Sequence, residues 1–360
     1  MKYITNYLAF VRFCIDDQQR IPTIKDWDAL YLFMKQQSLL GVGFVGIEKM
    51  KKEGVDVPRK LLLKWYNISE RIKEANMKAN KVAAALTVYF KHQGFRSCIL
   101  KGQGNTLYYP TPFIRTSGDI DIWLEGGHEK IMAFVNSQWP ELKQRYHHVE
   151  IPAVHGVAVE IHFTPSYMHS PLANSRLQKW FQEEANTQFE HSITLPDDAG
   201  SIYAPTAEFN FIYQLEHIYR HLFTEGIGLR QLMDYFFLVR REQAAINKEK
   251  LKQQLSHFGL LKFAGAVMWV LQEVFGLEEN EMFTSPNTKE GKFLLKEILT
   301  GGNFGRYDKR LGQKADEGVG FRYFRLNVRN LRFLSHYPAE ALCEPLFRTG
   351  QFFWRVCHKG

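Results

Sequence analysis

Cysteine is scarce in this chain of 360 residues: Cys14, Cys98, Cys343 and Cys357 lie far apart and no CxxC occurs. That spacing argues against a zinc knuckle and a disulfide framework and leaves reduced thiols in a cytoplasmic protein as the expectation. Long apolar runs are missing as well. No stretch approaches the ~18 uncharged apolar residues of a membrane span. The opening MKYITNYLAFVRFCIDD has a short apolar run, lacks a small-residue cleavage site and soon meets Asp16 and Asp17, unlike a secretory signal. Tandem repeats and low-complexity linkers are absent. With 45% hydrophobic and 23% charged residues, the composition also excludes disorder, collagen and coiled coil.

What is present is a large aromatic complement, 14% of residues, which favours well-packed helical layers. A chain of this length buries a sizeable core without staples, and at roughly 150 residues per domain it suggests two or three domains. The net charge of +8 is uneven: residues 301–360 hold eleven Lys/Arg against five Asp/Glu. A basic end of this kind suits an anionic partner: a nucleotide, nucleic acid or acidic surface.

Residues 1–92 read as helical. Asp26 is a candidate N-cap for WDALYLFMKQQSLLG, and Val57-Pro58 opens a long segment with apolar residues at spacings of three and four that Gly94 ends. Three strands are expected next, at 95–100, 118–124 and 153–163, with short helices around 104–109 and 128–139 between them. From Thr206 the helical period returns, with a pair split near Gly259 and a helix over 318–336 carrying Arg322, Arg325, Arg329 and Arg332 on one face. The fold class is therefore α+β: a small mixed β-sheet core at 93–200, flanked by a helical region at 1–92 and a helical domain at 201–360.

The sharpest chemical signal is KGQGNTLYYPTPFIRTSGDIDIWLE. Asp119 and Asp121, one residue apart on a predicted strand, project to the same face. Two neighbouring carboxylates repel unless a cation lies between them, and oxygen ligands select Mg²⁺ or Mn²⁺. Lys101-Gly102 joins a strand to a helix, a corner whose backbone N–H groups suit a phosphate. Arg115 is placed to grip a phosphate oxygen. Glu160, in VEIHF on the next strong strand, adds the third carboxylate of a two-metal site. An edge strand with two solvated acids is the plain alternative for an isolated D-x-D.

Gly102, then sixteen residues, then D-I-D, then an acid on a later strand, resembles the DNA polymerase β-like nucleotidyltransferase superfamily. More narrowly, LKGQGNTLYYP, IRTSGDIDIWL, VEIHF and HIYRHLF…GIGLRQLMDY resemble a group of bacterial proteins, the uncharacterised family-5 nucleotidyltransferases, over about residues 80–240. The resemblance implies that Asp119, Asp121 and Glu160 hold two Mg²⁺ or Mn²⁺ ions. It implies in-line attack of an acceptor hydroxyl on the α-phosphorus of an NTP, with pyrophosphate leaving and Glu160 able to accept the proton. The superfamily's glycine is normally followed by serine. Here Gln103 follows Gly102, and Lys101, Gln103 and Arg115 are the donors at hand for the phosphates. A nucleotide- or nucleic-acid-binding module on the same fold, without turnover, is the alternative the resemblance also allows. The acceptor is left open among a small molecule, a protein hydroxyl and an RNA end.

Several residues admit two readings. His162 shares a strand face with Glu160, as a phosphate donor or partner of the acids, or as a structural histidine. His217 and His221 stand at i, i+4 on one helix, near the phosphates or simply bonded between helices; zinc is the weaker option because HExxH is absent. Arg230 and Asp234 share the same spacing and read as an intrahelical ion pair, exposed or buried. The glycine-rich GGNFGRYDKR at 301–310 lacks the features of a P-loop and reads as a loop bordering the cleft. The arginine face is either solvated or a dock for an anionic acceptor.

Overall fold

A computed structural model describes residues 3–310 and 318–357, apart from a few side chains inside the last two helices. The Arg322 side chain of the arginine face and the Cys357 side chain are outside the described set. Cys14, Cys98 and Cys343 are free thiols.

Four helices come first: α1 (Ile4–Ile15), α2 (Trp27–Gln36), α3 (Leu40–Lys52) and α4 (Arg59–His92). Asp26 caps α2 as its sequence position predicts, accepting the Ala29 N–H at 2.9 Å. A small mixed region follows: β1 (Ser97–Ile99), α5 (Gln103–Thr106), β2 (Ile120–Leu124), α6 (Gly127–Gln138), β3 (His148–Val154), β4 (Val157–His162), α7 (Pro171–Glu190), β5 (Ser192–Leu195) and β6 (Gly200–Tyr203). Seven helices follow among the described residues: α8 (Ala207–Thr224), α9 (Leu229–Glu242), α10 (Lys248–His257), α11 (Leu261–Val270), α12 (Thr288–Gly301), α13 (Val319–Asn330) and α14 (Pro338–Cys357), with a π-helical turn at Leu271–Phe275 extending α11. Gly259, with φ +75°, divides α10 from α11 where the sequence pattern breaks.

The four-stranded sheet has the order β1-β2-β4-β3, with β2 and β4 parallel and the outer pairs antiparallel. Alternation sorts its side chains. Ile120, Ile122, Leu124, Val149, Val159 and Ile161 form one apolar face, sealed by α6 and by the Ala79–Phe90 half of α4. The other half of α4, with Leu61, Trp65 and Ile72, enters a larger core that runs from Tyr7 to Ala341 and unites the N-terminal helices with those after Thr206. One long helix thus fixes the sheet against the helical mass, leaving the polar sheet face looking into the gap.

Two expectations change. The run at 153–163 is not one strand but the end of a hairpin: His155 and Gly156 both have positive φ, +49° and +74°, as a tight I′-type turn requires. The first strand of that hairpin, β3, is an edge strand carrying Pro152 and a register shift between Ile151 and Val154, which removes the regular alternation that marks a strand in sequence. Part of the arginine face is internal. Arg329 is buried and donates to the carbonyls of Leu222 and Phe223, at 2.6 and 2.8 Å, capping the end of α8. Arg332 reaches toward Glu297 and Asp308.

Candidate active site

The polar sheet face is built by register. Asp121 on β2 stands opposite Glu160 on β4, which stands opposite Glu150 on β3; His162 on β4 stands opposite His148 on β3. Asp119 lies one residue ahead of β2 rather than within it, half-buried. Facing this sheet are α8 and α9. Together they enclose a cleft of about 870 Å³ lined by Lys101, Gly102, Arg115, Asp119, Asp121, Glu160, His162, His217 and His221. Gln103 is the exception among the sequence-predicted residues. Its side chain is buried and does not line the cleft, and its Oε1 has no hydrogen-bond partner among the described residues. The helix it opens, α5, is a single turn of four residues, too short to give the helix-start field expected at the Lys101-Gly102 corner.

Asp121 is 1% exposed, and burial alone would push its carboxyl up. Lys101, with Nζ at 3.1 Å from Oδ2, and His162, with Nε2 at 3.1 Å from Oδ1, outweigh burial and hold the carboxyl well below the usual range. Glu160 goes the other way: burial and the charges of Asp121 and Asp119 raise it, against the pull of His162 at 3.3 Å. His162 loses affinity for its proton by burial and regains more from the two acids, so it is raised overall. Two carboxylates in contact with one imidazole and one ammonium are thus pushed apart in acidity, one firmly ionised and one ready to take a proton.

The helical wall is cationic and its histidines are neutral. His217 faces Lys101 Nζ at 3.1 Å through Nε2 and Arg220 at 3.2 Å through Nδ1. Burial, then Lys101, depresses it well below the ordinary histidine value. Burial and Arg220 lower His221 to about 4. Arg115 does not offer a bidentate grip: its Nε and Nη2 are both held by Asp234 at 2.8 Å, and Tyr109 donates to the same carboxylate at 2.7 Å. Only Nη1 has no partner among the described residues. Asp234 therefore pairs with Arg115 across the fold, 119 residues away in sequence, rather than with Arg230 on its own helix. Arg230 donates to the Thr116 carbonyl at 3.1 Å, and its Nε is left without a partner among the described residues. Burial, then Arg115, lowers its affinity for its proton. Beyond the sequence-predicted set, the cleft is lined by Arg220, His147, His148 and Glu150, by Phe304 and Arg306 of the glycine-rich loop, and by Glu344, Phe347 and Arg348 of α14. The doubled polar pattern His147-His148-x-Glu150 was the available sequence signal for β3.

A family model described as an uncharacterised nucleotidyltransferase matches residues 24–276, more than two thirds of the chain. The chain belongs to this family. The matched span holds the whole four-stranded sheet and both facing helices; among the described residues, only the 304–306 loop and α14 contribute to the cleft from beyond it. Among solved structures, a match is the crystal structure of an antigenic nucleotidyltransferase-like protein from Paracoccidioides brasiliensis, at 13% identity and a TM-score of 0.33, covering 58% of this chain and 94% of that one. No curated protein matches. No described helix is long and apolar enough to cross a membrane.

The donor set fits the divalent cations that nucleotidyltransferases use. Asp121, Glu160 and His162 each offer a ligand atom within 4.8 Å of the others, and Asp119 borders the same space.

Two expectations arise here. Gly102 has φ +67° and ψ −101°, a combination that L side chains rarely adopt. Gly102→Ala should destabilise the corner by about 1–3 kcal/mol, read from paired melting curves. Glu216 on α8 is fully buried beneath the cleft, where burial pushes its carboxyl up to about 8 against the opposing pull of Arg220, with Glu340 adding to the rise. Its folded-state value lies above its unfolded one, so the native state holds the proton longer. The Glu216 contribution to stability is therefore fully present below about pH 4.5 and is lost as pH rises toward 8. Glu216→Gln should flatten that decline; an unchanged slope of melting temperature between pH 5 and 8 would show that the carboxyl is not the source.

Proposed function

We propose that the protein transfers a nucleotidyl group from an NTP to a hydroxyl-bearing acceptor, releasing pyrophosphate. One observation carries this reading: a register-matched Asp121–Glu160 pair, with Asp119 beside it, shares the cleft with the buried Arg115 and the half-buried Arg230, each of which keeps one buried N–H group without a hydrogen-bond partner among the described residues. Buried cations with unmet donors call for an anion. Arg230 Nε and Arg115 Nη1 are suited to phosphate oxygens, and Lys101 is placed between the acids and His217 to follow the negative charge as it moves to the leaving group. The acceptor oxygen attacks the α-phosphorus, the bond from that phosphorus to the β-phosphate oxygen breaks, and the acceptor's proton passes to the Glu160 carboxylate. Bound Mg²⁺ or Mn²⁺, held by Asp119, Asp121 and Glu160, would neutralise phosphate charge and acidify the acceptor hydroxyl. Catalysis then consists of positioning and charge neutralisation.

Label from an α-phosphate-labelled NTP, supplied with Mg²⁺ or Mn²⁺ and a panel of sugars, peptides and RNA ends, should move to one acceptor class with stoichiometric pyrophosphate. The buried Gln103, which withdraws a side-chain donor from the phosphates, favours one other reading: a binding module without turnover. Tight NTP binding with no pyrophosphate over the whole panel would select it. A melting temperature indifferent to every NTP-metal pair would reject both.

A further inference from the structure

The geometry points to a transition-metal site on the β3–β4 hairpin, formed by His148 and Glu150 of β3 with Glu160 of β4, beside the acids assigned above but separate from Asp119 and Asp121. Nothing in the nucleotidyl-transfer reading requires it, and it does not depend on a nucleotide being bound.

Three ligand atoms converge there. His148 Nε2 stands 3.7 Å from Glu160 Oε2 and 3.8 Å from Glu150 Oε1, and all three side chains have a ligand atom within 4.8 Å of the others. A first-row ion holds nitrogen and oxygen ligands at about 2.0–2.2 Å, which puts neighbouring ligand atoms about 3–3.5 Å apart. The two distances from His148 need to close by only a few tenths of an ångström to meet that spacing, and the two carboxylates lie within 4.8 Å of each other. Cross-strand register fixes the arrangement, since Glu150 and Glu160 are direct partners. Glu160 Oε2 is also 3.3 Å from His162 Nε2, so the ion competes with that contact, and the second carboxylate oxygen is left for a cation at the neighbouring acids.

A second observation comes from behind the site. His147 is 5% exposed, its Nε2 lies 3.3 Å from His148 Nδ1, and its own Nδ1 has no partner among the described residues. An imidazole that accepts from the far nitrogen of a ligating histidine fixes that ring's tautomer and aims its other nitrogen at the ion. The competing occupant of Glu150 is Arg145, at 3.1 Å, an exposed pair whose contribution is about 0–1 kcal/mol and which an ion displaces readily. Imidazole with carboxylates favours a borderline ion over Mg²⁺, so the ligand class is a divalent first-row transition ion such as Zn²⁺.

The test is a calorimetric titration of the full chain with ZnCl₂, without nucleotide. With excess Mg²⁺ present for the Asp119–Asp121 acids, wild type is expected to take up one equivalent, with His148→Ala and Glu150→Gln each weakening it at least ~10-fold and Asp119→Asn leaving it unchanged. Glu150 is exposed, so its variant keeps the test valid if His148→Ala does not fold. No uptake by wild type, unaltered affinity in Glu150→Gln, or equal loss in Asp119→Asn would each overturn the site. Because no NTP is present, a protein that binds Zn²⁺ as expected yet transfers no label refutes the transfer reading alone.

Discussion

Asp121→Asn is expected to lower nucleotidyl transfer by at least ~10³-fold, equivalent to about 4 kcal/mol of transition-state stabilisation. The substitution keeps the side-chain shape in a position that is 1% exposed and removes only the charge. That charge does three things at once. It holds Lys101 at 3.1 Å, it keeps His162 at 3.1 Å in the orientation that also meets Glu160, and it contributes the firmly ionised ligand for a divalent cation. The neutral amide cannot balance Lys101 and His162, so the fold should lose some stability, but the apolar sheet face behind it is untouched. Label transfer from an α-phosphate-labelled NTP measures the effect, and melting curves confirm that the variant is folded. Transfer persisting within tenfold of wild type would remove Asp121 from the reaction. Asp119→Asn gives the same test outside the strand, at a half-buried position where the fold is less exposed to the change.

Asp121 and Glu160 were legible because each sits on a short strand of period two, whereas Asp119, expected on the same strand, lies one residue ahead of it. The helices were legible for similar reasons, since Asp26, Gly94 and Gly259 are local signals placed where the backbone needs them. What escaped depends on distance or on orientation. Asp234 and Arg230 have the spacing of an intrahelical pair, yet a buried Arg115 from a remote loop offers Asp234 two parallel hydrogen bonds, which an i, i+4 neighbour on a helix seldom matches. Gln103 sits beside the glycine corner in sequence, but the single turn of α5 swings its side chain into the interior. The hairpin was hidden because His155-Gly156 interrupts a run whose residues on both sides are strand formers, and because Pro152 breaks the alternation of β3. The contribution of α14 to the cleft has no local signature at all. It follows from the larger core, which brings residues from both ends of the chain together.

Asp234→Ala is expected to be the most destabilising single change near the cleft, at about 3–5 kcal/mol, because it leaves the buried Arg115 guanidinium without its carboxylate. The loss is compounded by two neighbours. Tyr109 loses the acceptor of its hydroxyl, and Arg230, already short of partners, then faces a second uncompensated cation. At about 2–4 °C per kcal/mol for a chain of a few hundred residues, the melting temperature should fall by roughly 10 °C. The paired replacement Arg115→Met with Asp234→Leu separates the two roles of this network. Removing both charges takes away the desolvation penalty along with the attraction, so stability should return to within about 1–2 kcal/mol of wild type. Nucleotide affinity should not return with it, because Arg115, which lines the cleft and keeps its Nη1 donor unpartnered among the described residues, is gone. A paired variant that melts like wild type but shows a raised KM for NTP assigns Arg115 to the phosphates; one that regains both stability and KM makes the pair purely a brace between α9 and the loop before β2.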